Sequence, residues 1–191
     1  MTKEEILDSA AQIISQKGYH ATSMADIAQS VGLQKASLYH HVASKQEILV
    51  ELLDRALDLL TERLERALAK PMNAPDQLRE AMRVYLDALI ENHDLASVLL
   101  LEHRSLEPQF SARHVPRRDR FEGLWLRILK DGIAAGEFEC ADPKVAVKIV
   151  LGVANWTITW FRPNGRQSPK QIADMSADLL LSGLRVRENE S

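Results

Sequence analysis

The chain has 191 residues, of which 46% are hydrophobic, and a formal net charge of −3 at pH 7. This length fits one large domain, or a small domain joined to a larger one, with enough apolar side chains for a core. The sequence has no run of about 18 uncharged apolar residues and its first residues are too charged for a signal peptide, so we expect a cytoplasmic protein with no membrane partner. Cys140 is the only cysteine, which excludes an intramolecular disulfide and a multi-cysteine zinc site.

Apolar residues recur at helical spacing along almost the whole chain, and we predict an all-α protein of about nine helices. The first helix is predicted over 2–17, with Gly18 as its stop. Ser23 is a suitable N-cap for a second helix over 24–30, and a short third helix is predicted over 35–41. These three helices form a small N-terminal unit.

The remaining helices are longer and begin or end at recognisable residues. Ser44 and Glu47 form a capping-box pattern at the start of the fourth helix, and Asp142-Pro143 and Ser168-Pro169 open the last two. Residues 108–118 are expected to be a loose basic stretch between helices. The predicted ranges are 44–69, 75–92, 94–104, 119–135, 142–161 and 169–187.

Two short helices are predicted to meet across Gly32, with apolar residues spaced to pack them near a right angle. This pattern indicates a helix-turn-helix, whose second helix can enter the major groove of double-stranded DNA. The global charge does not favour nucleic acid, but Lys35 and Lys45, with His40 and His41, lie on either side of that short helix. A local basic edge is enough for phosphate contacts.

The segment from Gly18-Tyr19 through Ser37-Leu38-Tyr39-His40-His41 to Ser44-Lys45-Gln46-Glu47 resembles the DNA-binding domain of the TetR family, the tetracycline-repressor-like regulators. The resemblance implies a DNA-binding domain over 1–46 and a larger helical effector-binding and dimerisation domain over 47–191. It also implies that Thr22 and Lys45 hold phosphates, that Tyr39 and His40 contact the DNA backbone, and that Gln34, Lys35, Ala36 and Ser37 face the bases.

Several of these residues also have plainer roles. Tyr39 can pack under the first helix, His41 can pack or cap a helix, and Lys35 can be merely solvated.

By the same resemblance, the last two helices pair with those of a second chain in a homodimer, and the middle helices enclose a small-molecule pocket. The last two helices carry more apolar residues than packing against their own chain requires. A two-fold interface, in which each chain uses the same surface, explains this excess. The predicted interface residues are Val145, Ile149, Val153, Trp156, Trp160, Ile172, Met175 and Leu179. The candidate ligand residues are Tyr85, Leu86, Leu89, Leu99, Leu100, Arg117, Arg118, Trp125, Leu129 and Asn155, although core packing also accounts for most of them.

Residues 154–163, ANWTITWFRP, with Gly165-Arg166 and Ser168-Pro169, further resemble a TetR subgroup that responds to acyl thioesters of coenzyme A. Residues 110–120 contain four arginines and one aspartate. These arginines can hold coenzyme phosphates, or they can form a solvated basic loop.

Motifs of catalysis are absent from the sequence, and we expect neither an enzyme nor a cofactor. His93, His103 and His114 lie on different predicted elements, so we expect no metal site. Two alternatives stay open: a regulator of another hydrophobic ligand such as a drug, and a helical interaction protein with no small-molecule effector. Repression and activation are not separable from sequence, because the position of the operator decides between them.

Overall fold

A computed structural model describes residues 2–184 of the chain. Within this range it contains nine α-helices, one short 3-10 helix and no β-strand, which confirms the all-α fold. The predicted end of the last helix near Arg187 lies outside the described residues. The helices are α1 Lys3–Lys17, α2 Met24–Ser30, α3 Lys35–Leu38, α4 Lys45–Leu68, α5 Ala74–Glu91, α6 His93–Glu102, α7 Pro108–Ala134, α8 Pro143–Trp160 and α9 Pro169–Leu184, with the 3-10 helix at His103–Ser105.

The N-terminal helices begin and end at residues suited to those positions. Ser23 Oγ accepts a hydrogen bond from the backbone N–H of Asp26, and the Asp26 carboxylate accepts one from the N–H of Ser23, so α2 starts with a full capping box. Gly18 ends α1 at φ 84° and Gly32 forms the turn after α2 at φ 68°. Only glycine adopts these conformations without strain, which fixes the tight connections on both sides of α2.

The expected loose stretch over 108–118 is wrong, because these residues form the first part of α7. Pro116 lies inside the helix, where it removes one backbone donor. Side-chain pairs with α4 stabilise this segment, and they involve Arg113, His114 and Arg117. Long-range contacts of this kind override the local preference of a proline-containing segment.

The chain divides into two compact units. One unit comprises the chain up to Leu59 together with Asn92–Arg118, and the other comprises Leu60–Glu91 and the described chain from Asp119 onward. In the first unit α1 packs against α6, and α2 packs against α3. In the second unit α5 packs against α8 and α9. We call them the N-terminal unit and the C-terminal unit.

Each unit has its own apolar core, formed by stripes at helical spacing. In the N-terminal unit the stripe of α1 consists of Ile6, Ala10 and Ile14, all almost completely buried. In the C-terminal unit the stripe of α5 includes Leu78 and Met82, both fully buried. Among the described helices, none combines the length and the apolarity that crossing a lipid bilayer requires.

Candidate functional site

Helix α3 presents a polar surface because one buried residue fixes its orientation. Leu38 is completely buried and anchors the helix in the N-terminal unit. The side chains around it point outward: Ser37 is half-buried and Tyr39 is 47% exposed. The other exposed residues of the predicted DNA-binding set are Gln34, Lys35, Ala36 and His40.

The two residues predicted to hold phosphates have partners within the protein. Thr22 is completely buried, and its hydroxyl donates to the Gly18 carbonyl at 2.9 Å. Lys45 Nζ donates to the carbonyl oxygens of Tyr19 at 2.9 Å and Thr22 at 2.7 Å, and lies 4.3 Å from the centroid of the Tyr19 ring. In this conformation Lys45 ties the start of α4 to the connection between α1 and α2.

An ionic cluster centred on the buried pair Asp54 and His114 joins α4 and α7 within the N-terminal unit. Asp54 is only 5% exposed; its Oδ1 accepts a hydrogen bond from His114 Nδ1 at 2.9 Å, and its Oδ2 lies 3.2 Å from Arg117 Nη1. Arg117 also pairs with Asp58 at 3.3 Å, and Arg113 pairs with Glu47 at 3.0 Å. Arg117, a candidate for coenzyme phosphates, therefore has carboxylates as its partners here.

This cluster was not predicted from the sequence, although the spacing of its charged residues is visible there. Glu47, Asp54 and Asp58 recur at seven and four residues along α4, which places them on one face of the helix. Arg113 and Arg117 have the matching spacing of four residues on α7. Arg118 follows on the same helix and is exposed.

A buried polar and aromatic cluster lies in the C-terminal unit, where α5, α7 and α8 contribute Tyr85, Phe121, Trp125 and Asn155. Tyr85 Oη donates to Asn155 Oδ1 at 2.6 Å, and burial raises the pKa of the Tyr85 phenol far above its usual value. The Tyr85 ring is 5.6 Å from that of Trp125 and 5.5 Å from that of Phe121. Trp125 is 1% exposed, and its Nε1 has no hydrogen-bond partner among the described residues.

The other candidate ligand residues are divided between the units. Leu86, Leu89 and Leu129 are buried in the C-terminal unit. Leu99 is buried and Leu100 half-buried in the N-terminal unit, on α6. The sequence-based set therefore combines residues of two separate cores.

Helices α8 and α9 expose a continuous apolar face in the C-terminal unit. Its most exposed members are Trp156, at 67%, and Leu179, at 72%. Of the predicted interface residues, Val153 is half-buried and Ile172 is buried inside its own unit. The other exposed ones are Val145, Ile149, Trp160 and Met175.

A groove of about 410 Å³ runs along this apolar face, between the start of α8 and the end of α9. Its lining includes Val145, Ile149 and Leu179, with Cys140 at one end. Burial raises the pKa of the Cys140 thiol, and the nearby Asp142 carboxylate raises it further. The thiol is therefore mostly protonated near neutral pH.

No group of three or more His, Cys, Asp or Glu side chains within residues 2–184 is arranged to hold a metal ion. Of the three histidines considered from the sequence, His114 pairs with Asp54 and His93 lies beside Asp94.

Comparison with known proteins identifies both parts of the chain. A family model described as bacterial regulatory proteins, tetR family, matches residues 6–52. A second model, the tetracyclin repressor-like C-terminal domain, matches residues 71–184.

Relatives of known structure or name are similar over nearly the full length. The HTH-type transcriptional repressor KstR2 of Mycolicibacterium smegmatis is 28% identical over 98% of this chain and 93% of its own. A crystal structure of the TetR-family regulator PfmR from Thermus thermophilus is 38% identical, with a TM-score of 0.84, and covers 93% of this chain and 97% of that one. AibR, solved in complex with isovaleryl coenzyme A and operator DNA, is 28% identical, with a TM-score of 0.87, and covers 94% of this chain and 97% of that one.

Proposed function

Because the chain belongs to the TetR family of transcriptional regulators, we propose that it is a repressor that binds a palindromic operator as a homodimer and is released by a small-molecule effector. The family consists of regulators and not of enzymes. The observation that carries the DNA-binding part is α3: its polar side chains point outward around the buried Leu38. A helix held in this way can enter the major groove, with Lys35 facing the base edges.

The homodimer is supported by the apolar face of α8 and α9. Large side chains such as Trp156 and Leu179 are more than half exposed in a single chain, and a contiguous apolar surface of this kind marks an interface. A two-fold axis through the face would bury it against the same face of a second chain. The two copies of α3 would then read two related half-sites, as a palindromic operator provides.

The proposed effector is an acyl thioester of coenzyme A, and it is the C-terminal unit that we expect to bind it. The similarity to AibR, whose structure contains isovaleryl coenzyme A, supports this class. The buried cluster around Tyr85 and Trp125 offers an apolar environment with a few polar groups, as effector pockets do. The effector acts by favouring a conformation that no longer fits both half-sites.

A second candidate is a hydrophobic effector without phosphates. The observation that favours it is the pairing of Arg117 with Asp54 and Asp58, because these carboxylates compete with any coenzyme phosphate for the guanidinium. The first candidate requires the coenzyme A part of the effector for binding, and the second does not.

The test is a titration of the purified protein against labelled DNA from upstream of its own gene, followed by fluorescence anisotropy. Short-, medium- and long-chain acyl-CoA thioesters are added in turn, with free coenzyme A and the free acids as controls. We expect one chain-length class to weaken operator binding by roughly 5- to 150-fold, and coenzyme A alone to have no effect. Release by a free acid alone supports the second candidate, and failure to bind any operator DNA contradicts the regulator.

A further inference from the structure

The indole N–H of Trp125 is a buried donor without an acceptor. The residue is 1% exposed, so bulk water does not reach it, and none of the described residues accepts its proton. Buried indole N–H groups are nearly always paired, because an unpaired one costs stability. An unpaired donor in the unit that is proposed to bind the effector therefore points to an acceptor that is supplied by the ligand.

The groups around Trp125 define the kind of acceptor. Tyr85 contacts the Trp125 ring and donates its own proton to Asn155 Oδ1 at 2.6 Å. Because Oδ1 accepts that proton, the Nδ2 side of the half-buried Asn155 amide presents donors. Trp125 and Asn155 thus both offer N–H groups, on α7 and α8.

The cluster is neutral as well as rich in donors. Tyr85 stays protonated because burial raises its pKa, and Phe121, which contacts both Tyr85 and Trp125, adds an apolar wall. A carboxylate or phosphate would lose its hydration here, and none of the four cluster residues is positively charged to compensate for that loss. A neutral carbonyl oxygen needs only the donors that the cluster has.

We propose that Trp125 Nε1 donates the hydrogen bond that recognises the carbonyl oxygen of the effector, with the acyl chain lying among the apolar side chains of the same unit. This inference rests on the proposed function, since it states how the ligand-binding unit reads an acyl thioester. It makes the carbonyl, and not only the length of the chain, a determinant of specificity. A thioether of equal length lacks the oxygen and leaves Trp125 unpaired.

The experiment compares acyl-CoA thioesters with the S-alkyl thioethers of coenzyme A of the same length. The full-length protein is labelled with ¹⁵N in its indole groups; the three tryptophans give three resonances, and Trp125→Phe identifies that of Trp125. We expect a thioester to move the Trp125 resonance downfield and to bind about tenfold more tightly than its thioether. A Trp125 resonance that no thioester moves, or that the thioether moves equally, overturns the inference.

Two variants separate the hydrogen bond from packing. Trp125→Phe should bind thioester and thioether with equal affinity, because the donor is gone. Phe138→Leu, at a residue buried in the same unit outside the cluster, should keep the wild-type preference. If Trp125→Phe does not fold, Trp156→Phe and Trp160→Phe, at two exposed tryptophans, assign the remaining resonance to Trp125, and the wild-type comparison of the two ligands still tests the inference.

Operator binding is measured separately on the unliganded protein, so the two hypotheses can fail independently. If the protein binds its operator but no thioester moves the Trp125 resonance, only the proposed recognition by Trp125 is contradicted. Protein whose Trp125 responds to a thioester while no DNA is bound contradicts the regulator and retains the ligand site.

Discussion

Lys35 and Lys45 carry the same charge near α3 but have different surroundings. Lys35 is exposed at the start of α3, whereas Lys45 Nζ donates to the carbonyl oxygens of Tyr19 and Thr22. The exposed position of Lys35 was predictable from the sequence, because a lysine side chain is almost never fully buried without a partner. The partners of Lys45 were not, because they are backbone carbonyls 26 and 23 residues away, and a carbonyl leaves no trace in the sequence.

The substitution Lys35→Ala should weaken operator binding by roughly 1–3 kcal/mol and relax the preference for the operator sequence, with an unchanged melting temperature, because Lys35 is proposed to face the bases. Lys45→Ala should weaken binding to all DNA sequences and reduce the salt slope by about one, and it should also lower the free energy of unfolding by roughly 1–3 kcal/mol, because a charged donor to two carbonyls is lost. Thermal denaturation and salt-dependent anisotropy measure the two effects. Lys130→Ala, at an exposed position of α7 in the C-terminal unit, is the control for charge. A wild-type melting temperature for Lys45→Ala would refute its structural role.

At the scale of helices, ends were easier to predict than interiors. Ser23 and Asp142-Pro143 specify where α2 and α8 begin, because an N-cap acts on its own first turn. The first part of α7 was not predictable in this way. Its helical state depends on pairs such as Arg113 with Glu47, which lie 66 residues apart and form only once the chain has folded.

Helices α8 and α9 expose apolar residues that their own unit does not bury, and this leads to a prediction about assembly. Leu179→Glu should give a species with the mass of one chain, because burying a carboxylate in an apolar interface is unfavourable. Its operator affinity should fall by roughly 100-fold or more, towards non-specific binding. Leu101→Glu, at a leucine on α6 that is 58% exposed, is the matched control. Light scattering measures the mass of each variant in solution. A Leu179→Glu protein that keeps the wild-type mass would argue against this interface.

At the scale of the whole molecule, the fold class and the helix-turn-helix were predictable because they depend on local periodicity and short turns. The division of the candidate ligand residues between the two units was not predictable. Leu99 and Tyr85 both occupy buried positions of helices, but they belong to different compact units. The chain passes between these units three times: within α4, between α5 and α6, and within α7. Linkage requires that an effector weakens DNA binding by the same factor by which DNA weakens effector binding.

We propose that two copies of the chain bind one palindromic operator together. The most direct measurement is the affinity for the intact operator and for a version with ~5 additional base pairs between the half-sites, which rotates one of them by about half a turn. If two copies bind together, the insertion should reduce the affinity to that of a single half-site. Equal affinity for both DNAs would mean that each chain binds independently, and would contradict operator binding by a homodimer.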